Sequence, residues 1–366
     1  MTEETHTNTV CFYDDVFLDH IAPIDHPECP ERLRSVIQQL EDSGTWDKLD
    51  IKKPPRADTA EIGVVHKPQY ISAVEQKLMR GISGYLDLGD TYYSPGTYNA
   101  AFMAVGAGIE LCAGIMESKW LRGLALVRPP GHHAEKDQAM GFCLFNNIAV
   151  AAASVISRYP DKKVAIIDFD VHHGNGTQNI FYKESRVLYC SIHQSPLYPG
   201  TGHIDENGFG EAFGTNINIP LPPLSGDVDW VYAMIHGIIP VMEKFQPDII
   251  LVSAGYDAHK LDHISSHTVT DNGFALLHSI LVKASEKLCE GRIGVFMEGG
   301  YHLGALATGM NNFAQTLCNH NVITNFNFEN QPAHTTVDTV SKVIGYVNSR
   351  WDIKLKPDME VSYELY

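Results

Sequence analysis

Four apolar runs of this chain each end in a cluster of polar residues. Such short runs, rich in β-branched residues and bounded by glycine or proline, predict buried strands. They are GLALVRPPGHH (123–133), VAIIDFDVHHG (164–174), DIILVSAGYD (248–257) and RIGVFMEGGY (292–301). Ligands bind outside the carboxyl ends of strands in an open parallel sheet. If the four strands are parallel neighbours, one crevice collects His132, His133, Asp168, Asp170, His172, Asp257 and Tyr301. That set predicts a metal-dependent hydrolase.

Strand-like and helix-like segments alternate along the rest of the chain, which is typical of a parallel α/β sheet. An opening strand is predicted over 8–17, and a helix is predicted to begin at Pro30 and end before Gly44. Further helices are predicted over 97–118 (largely buried), 146–158, 228–245 and 271–288.

Two segments stand outside this alternation. The stretch 191–226 contains many glycines and prolines and is predicted to be a long surface loop system. The tail (about 323–366) is predicted to contain one more amphipathic helix, which packs on the core or, alternatively, forms an oligomer contact. Its apolar stripe consists of Val337, Val340, Ile344 and Val347.

Composition indicates a globular protein that does not bind nucleic acid directly. Of 366 residues, 44% are hydrophobic, and the formal net charge is −17. A net negative charge repels the phosphates of nucleic acid. It either attracts cationic substrates or only keeps the protein soluble. Seven scattered cysteines without a CxxC pair suit a reducing compartment. With no signal-like N-terminus and no apolar run near roughly 20 residues, we expect a cytoplasmic protein without a membrane segment.

The second polar cluster has the composition of a metal site. Asp168, Asp170 and His172 alternate with apolar residues, so the period of a strand sends them to one face. Asp257 can complete a set of two Asp and one His. Three protein ligands with an open position are typical of catalytic zinc. Mn²⁺ or Mg²⁺ is the alternative metal, and a hydrogen-bonded strand end is the alternative without a metal.

The other clusters predict proton transfer and hydrogen-bond donation. His132 and His133 are candidates for general acid–base work. Each imidazole needs a partner for its second nitrogen, and Asp168 and Asn175 can serve. Tyr301 follows two glycines whose small size permits close backbone approach and a directed phenol.

These residues stand in motifs that resemble the class II histone deacetylases and their bacterial relatives, including the acetylpolyamine amidohydrolases. The motifs are RPPGHHA (128–134), DFDVHHGNGTQ (168–178), YPGTG (198–202), SAGYDAH (253–259) and EGGY (298–301). The match begins at HPECPERL (26–33) and runs to about 318. The resemblance implies a single arginase/deacetylase-like α/β domain with an eight-stranded parallel sheet flanked by helices. We expect this domain over 1–366, with a catalytic core at about 8–320 and a C-terminal helical extension at about 323–366.

The resemblance also implies the cofactors. Asp170, His172 and Asp257 would bind one Zn²⁺ per chain, and a structural K⁺ would lie near the catalytic strand. The potassium residues would be Asp168, Asp170, His172, Ser191 and Ile192.

Catalytic roles follow from the same resemblance. His133 would take a proton from water and later give one to the departing amine, while His132, backed by Asp168, would stabilise charge. Tyr301 would donate a hydrogen bond to the oxyanion. Asn175 leaves His133 without a carboxylate partner, which should hold the pKa of His133 lower.

Substrate contacts are implied as well. Gly141 and Phe142 would form one wall of an acyl-lysine tunnel and Tyr198 the other, with Asp90 at the rim. Ile264 stands where the polyamine-selective member of the family has a Glu at the tunnel mouth.

The function predicted from these observations is zinc-dependent hydrolysis of N-acetyl-lysine in peptides or proteins. An amidohydrolase acting on acetylpolyamines or other small acylated amines is the alternative within this chemistry. A silent acyl-lysine-binding module and a binuclear manganese ureohydrolase are the remaining alternatives. A homo-oligomer is possible.

Overall fold

Eight parallel strands form the central sheet of the computed structural model, which describes residues 9–318 and 331–353. In space the order is β2-β1-β5-β10-β9-β6-β7-β8. Every neighbouring pair is parallel. The strands are β1 (Thr9–Phe12), β2 (Asp50–Lys52), β5 (Arg122–Ala125), β6 (Val164–Asp168), β7 (Val187–Gln194), β8 (Asn216–Leu221), β9 (Ile249–Ala254) and β10 (Ile293–Met297). A separate hairpin pairs β3 (Gly84–Tyr85) with β4 (Tyr92–Tyr93). The predicted α/β class with an eight-stranded parallel sheet is confirmed.

The four strands with polar ends occupy the middle of this sheet. The order β5-β10-β9-β6 makes them direct neighbours, and every residue of these strands is buried. Their residues lack the alternation of a half-exposed sheet because helices cover both faces. Because the strands are parallel, their carboxyl ends lie at one edge, as the apolar runs predicted.

Helices connect the strands. They are α1 (Pro30–Asp42), α2 (Thr59–Ile62), α3 (Pro68–Leu78), α4 (Thr97–Met116), α5 (Asn147–Arg158), α6 (Asn175–Phe181), α7 (Asp227–Tyr232), α8 (Ile239–Phe245), α9 (Asp271–Cys289), α10 (Leu303–Leu317) and α11 (His334–Trp351). Among them α10 packs against both α1 and α9, and α4 packs against α5.

Capping residues explain where several helices begin. Pro30 occupies the first position of α1, where a missing amide proton costs nothing. The Asn146 side chain accepts from Ala149 N at 3.0 Å and caps α5. The helix predicted over 228–245 contains a π-helical segment, Ala233–Ile238, between α7 and α8. Pro240, in the first turn of α8, lacks the amide proton that an uninterrupted α-helix would use there.

Two sequence predictions require correction. The opening strand is four residues long and is followed by a 3₁₀-helix, Asp15–Asp19, whose start is capped by Asp14. The prediction of a loop over 191–226 is wrong in part, since it contains the end of β7 and all of β8. Pro220 suggested a loop, but β8 is an edge strand, where one side needs no amide donors.

The long apolar helix α4 requires a third correction. Its 20 residues are long and apolar enough to cross a membrane by length and composition alone, although the sequence was expected to contain no such run. However, 72% of this apolar window is buried inside the protein. The helix therefore has the burial of a core helix, as predicted for 97–118.

The C-terminal helix α11 packs on the sheet edge. Val340, Ile344 and Val347 are buried, and Val337 is half-buried against the same core. The indole nitrogen of Trp351 donates to the carbonyl oxygen of Gly214 at 2.6 Å. This helix covers the β8 side of the sheet, which would otherwise be an open edge. The core-packing prediction is confirmed, while 323–330, 354–366 and the predicted boundary near 320 lie outside the described residues.

The packing of α11 can be tested by paired substitutions on this helix. We expect Ile344→Ala to lower the free energy of unfolding by about 2–5 kcal/mol, because it removes a fully buried side chain. The control Tyr346→Ala, at a half-exposed position, should stay within about 0.5 kcal/mol. Denaturant titration measures both values, and equal effects would contradict the packing.

Candidate active site

Asp168 is the last residue of β6, so the strand ends before Asp170 and His172. The alternation of side chains along a strand, which was expected to place Asp168, Asp170 and His172 on one face, therefore does not apply to Asp170 and His172. Hydrogen bonds from their backbone amides position these two residues instead. Asp170 N donates to Asp168 Oδ1 at 3.1 Å, and His172 N donates to Asp170 Oδ1 at 2.9 Å. This turn sends Asp168 towards His132, while Asp170 and His172 face Asp257.

Asp170, His172 and Asp257 form a buried cluster whose ligand atoms all lie within 4.8 Å of one another. His172 Nδ1 lies 3.0 Å from Asp170 Oδ1 and 3.1 Å from Asp257 Oδ2. Burial together with the charge of Asp170 raises the pKa of Asp257 to about 6. Two buried carboxylates at this separation need a cation or hydrogen bonds to compensate their charge. One nitrogen and two carboxylate donors fit a metal site with an open position.

Two glycines make room for these carboxylates. A Cβ at Gly255 would lie 2.1 Å from Asp170 Oδ2. A Cβ at Gly299 would lie 2.4 Å from an oxygen of both Asp170 and Asp257. In addition, Gly299 N donates to Asp170 Oδ2 at 2.8 Å. A larger residue at either position would displace a ligand oxygen.

The two adjacent histidines have the partners that the sequence suggested. His132 Nδ1 lies 3.1 Å from Asp168 Oδ2, and His133 Nδ1 lies 2.8 Å from Asn175 Oδ1. The Asn175 amide nitrogen donates to Glu135 Oε1 at 2.6 Å, which fixes its orientation. An amide oxygen only accepts, so His133 Nδ1 carries the proton and Nε2 is the basic nitrogen.

Electrostatics drive the two histidines to opposite protonation states. Burial opposes the charge of His132, but Asp168 and Asp170 outweigh it and raise its pKa to about 10. Burial and the neighbouring His132 and His172 hold the pKa of His133 well below its usual value. His133 is therefore a neutral base beside a cationic His132, with ring centroids 4.0 Å apart.

A narrow cavity of about 180 Å³ leads to these groups. The structure places all five predicted substrate residues on its wall, together with Leu197, which the sequence reasoning missed although it adjoins Tyr198. The lining residues are Asp90, His133, Gly141, Phe142, His172, Leu197, Tyr198, Ile264 and Tyr301. The Phe142 ring stands edge-on to Tyr301 at 5.9 Å, and Tyr198 stands edge-on to His133 at 5.2 Å.

The Phe142 wall is the tip of a two-residue turn. Met140 and Cys143 exchange backbone hydrogen bonds of 3.2 and 2.9 Å around it. Gly141 and Phe142 both have positive φ, at 55° and 68°, as a type I′ turn requires. A Cβ at Gly141 would lie 2.4 Å from the His133 ring, so glycine is needed there.

A wider groove of about 640 Å³ adjoins the cavity and shares Asp90 and Tyr198 with it. The Asp87 carboxylate shapes its wall by accepting from the amides of Gly89, Asp90 and Thr91. Burial and the neighbouring Asp87 raise the pKa of Asp90 to about 6. The sequence reasoning identified Asp90 but not this groove.

A buried cluster of charged residues packs against Tyr301 on the side away from the cavity. The sequence analysis did not predict this cluster. Glu28, Arg32 and Arg128 are fully buried, and Glu28 accepts from Arg128 at 2.5 and 2.8 Å and from Arg32 at 3.1 Å. The Arg32 guanidinium lies 4.9 Å from the Tyr301 ring centroid, and Arg32 Nε donates to the Gly300 carbonyl at 2.7 Å. Burial raises the pKa of Tyr301 well above its usual value, so its phenol stays a donor. For Arg128 the available signal was a single charged residue in the otherwise apolar context of 126–130.

The residues predicted to bind potassium come from the end of β6, from the turn that follows it and from β7. Asp168 of β6 and Ser191 of β7 are register partners, and Ser191 Oγ lies 2.9 Å from His193 Nδ1. Ile192 follows in β7 and is buried. Potassium binding stays a prediction.

The fold and the site together are those of a parallel α/β protein with a candidate metal site. The sequence-family model of the histone deacetylase domain matches residues 26–317 of this chain, so the chain belongs to this family. The crystal structure of the HDA15 HD domain superposes with a TM-score of 0.86 at 33% identity, over 94% of this chain and 95% of that one.

Two relatives extend the comparison. Histone deacetylase 5 of Arabidopsis thaliana is 38% identical over 311 residues, which cover 81% of this chain and 46% of that protein. Polyamine deacetylase HDAC10 of Homo sapiens is 35% identical over 309 residues, which cover 80% of this chain and 45% of that protein. The chain thus aligns with slightly less than half the length of either relative.

The buried ionic cluster predicts acid sensitivity. Its arginines hold the pKa of Glu28 below the usual range despite burial, so its contribution is present above the unfolded pKa and is lost as pH falls. We expect Glu28→Gln to cost about 3–5 kcal/mol at neutral pH, since two buried cations lose their partner. The difference in the free energy of unfolding between Glu28→Gln and the wild type should become smaller below about pH 4, where the wild-type protein begins to lose the contribution of Glu28.

Denaturant unfolding between pH 7 and 3 measures that deficit. Asp50→Asn, which breaks the exposed pair with Lys52, is the control and should cost about 0–1 kcal/mol. A deficit for Glu28→Gln that does not change with pH would contradict the prediction.

Proposed function

We propose that the protein is a zinc-dependent deacetylase that hydrolyses the N-acetyl amide of acetyl-lysine in peptides or proteins, releasing acetate and the free amine. The observation that carries this proposal is the placement of a neutral His133 beside the Asp170–His172–Asp257 cluster at the end of a narrow, aromatic-walled cavity. A base, a metal site and a phenol donor on one small cavity are the parts that amide hydrolysis needs.

Asp170, His172 and Asp257 would hold the zinc ion, because their mixed nitrogen and oxygen donors suit it. Zinc in such a site acts as a Lewis acid that polarises a carbonyl and lowers the pKa of water. We include a structural potassium ion in the proposal, held by the Ser191 hydroxyl and by the carbonyl oxygens of Asp168, Asp170, His172 and Ile192.

The remaining groups divide the proton and charge chemistry. His133 Nε2 would accept a proton from the attacking water and later deliver one to the departing amine. The cationic His132, oriented by Asp168, would stabilise negative charge in the transition state. Tyr301 would donate its phenol proton as a hydrogen bond to the developing oxyanion.

Cavity shape supports an unbranched acylated amine as the substrate. Phe142 and Tyr198 would flank the alkyl stem, and Asp90 at the rim would accept a hydrogen bond from the substrate. We favour a peptide, because the wider groove offers room for residues on either side of the acyl-lysine. An acetylpolyamine is the second candidate, favoured by the acidic Asp87 and Asp90 and by the similarity to a polyamine deacetylase.

We also propose a cytoplasmic location, since all seven cysteines are free thiols. Direct nucleic-acid binding is not part of the proposed function, in keeping with the net charge of −17.

Acetate release from zinc-loaded protein tests the function. The panel contains acetyl-lysine peptides, longer acyl-lysine peptides and N-acetylputrescine, each measured for kcat/KM. We expect the acetyl-lysine peptide to be the best substrate. Faster turnover of N-acetylputrescine would reverse the order of the two candidates, and no acetate from any substrate would refute deacetylation.

Tyr301→Phe is the matching active-site variant in that assay. It should lower kcat about 10²–10³-fold while KM and zinc content stay near the wild-type values, because only transition-state stabilisation is lost. Tyr346→Phe, on the half-exposed face of α11, is the control with unchanged turnover. Normal turnover by Tyr301→Phe would remove Tyr301 from the proposed chemistry.

Metal analysis tests the zinc ligands independently of activity. Asp170→Asn should weaken zinc binding by at least about 100-fold, because a charged ligand is replaced by a neutral one. Asp338→Asn, at an exposed position of α11, should bind one zinc per chain like the wild type. Full zinc occupancy of Asp170→Asn would contradict the ligand assignment, and tighter binding of Mn²⁺ than Zn²⁺ would contradict the choice of metal.

A further inference from the structure

Glu298, directly after β10, is a buried acidic residue to which the proposed chemistry gives no role. It is 1% exposed, although it lies one residue before the Gly299-Gly300 turn. Its Oε2 accepts from the backbone amides of Gly131 and His132 at 2.7 and 3.2 Å. Its Oε1 accepts from Ser253 Oγ at 3.3 Å. One side chain therefore joins the histidine loop to two central strands.

Side chains hold the backbone of the histidine loop: Asn147 and Asn146 donate to its carbonyl oxygens, and Glu298 accepts from two of its amides. Residues 126–139 contain no helix or strand, so no backbone ladder orients the amides of Gly131 and His132. Two consecutive amides that point at one carboxyl oxygen restrict the peptide planes on either side of Gly131. The directions of the His132 and His133 side chains depend on those planes.

The main chain of Glu298 is held from the opposite side. Arg32 Nη2 donates to the Glu298 carbonyl oxygen, and Arg32 Nε donates to that of Gly300. Glu298 N donates to the Ala254 carbonyl at 3.0 Å, which ties it to β9. Because Arg32 also packs over the Tyr301 ring, Glu298 connects the two histidines with the tyrosine on the other side of the cavity.

We propose that Glu298 is a positioning residue, which sets the placement of His132 and His133 relative to Tyr301 through its two hydrogen bonds to the loop backbone. The inference rests on the proposed deacetylase function. Reaction rates depend steeply on such placement, since a displacement of about 1 Å can cost about 10²-fold.

Two conservative substitutions distinguish the effect of the length of the Glu298 side chain from the effect of its charge. Glu298→Gln keeps the length of the side chain, and its amide oxygen can accept from both loop amides while its nitrogen donates to Ser253. Glu298→Asp keeps the charge but shortens the side chain by one methylene, so it cannot reach the loop from the same backbone position. A positioning role predicts that the glutamine variant is the better enzyme, whereas an electrostatic role predicts the aspartate variant.

We therefore expect Glu298→Gln to retain kcat within about threefold and Glu298→Asp to lose about 10- to 100-fold, with KM near wild type in both. Ser253→Ala is the matched control, because it removes the bond to Oε1 and leaves both loop amides bonded. It should retain kcat within about threefold. Metal analysis and denaturant unfolding on each variant restrict the comparison to folded, zinc-loaded protein.

Histidine-ring NMR of zinc-loaded, histidine-labelled protein gives a readout that needs no turnover. The signals of His132 and His133 should move in Glu298→Asp and stay in place in Ser253→Ala. The inference is overturned if Glu298→Asp matches the wild type in kcat and ring signals, or if it outperforms Glu298→Gln. If the wild type releases no acetate, the proposed function fails, while the ring signals still decide the positioning role.

Discussion

Burial of two carboxylates and an imidazole at the ends of β6 and β9 is the constraint on which the site depends. Asp170, His172 and Asp257 lie so close together that their charge must be balanced by a cation or by hydrogen bonds. The surrounding chain is shaped for this purpose, because glycine at 255 and 299 is the residue that leaves space for the carboxylate oxygens. The rigid central strands hold this charge cluster in place, which is why it can be both buried and specific.

The same buried charges give the two adjacent histidines, His132 and His133, different protonation states. His132 faces Asp168 and Asp170 and is cationic, whereas His133 faces His132, His172 and an amide and is neutral. Residues next to each other in sequence thus have opposite protonation states, because side-chain direction decides which charges each ring meets. In the proposed reaction one supplies fixed positive charge and the other a free base.

Buried charged residues pack around the inner end of the cavity, whereas a wide groove adjoins its entrance. Glu28 joins two arginines, and Arg32 in turn holds the Gly300 turn below Tyr301. Glu298 bonds the histidine loop to the same turn. At the entrance, the groove around Asp90 is wide and partly acidic. The groups of the proposed chemistry therefore rest on constrained backbone, whereas the groove at the entrance is lined by residues such as Asp87 and Asp90.

Apolar runs and their polar ends were enough to predict the parallel sheet and the shared crevice, because continuous burial of a strand is visible in the local sequence. They also pointed to Asp170, His172 and Asp257 as one candidate metal set, although the turn after β6, and not the strand period, orients Asp170 and His172. They also sufficed for the helix begun by Pro30 and the one capped by Asn146. Strand β8 was missed because Pro220 and nearby glycines have turn-like composition, and only its edge position explains why proline is tolerated. The roles of Glu28, Arg32 and Glu298 depend on partners that lie 100 to 268 residues away in the chain. Such contacts arise from tertiary packing, so the local sequence around each residue could not identify its partner.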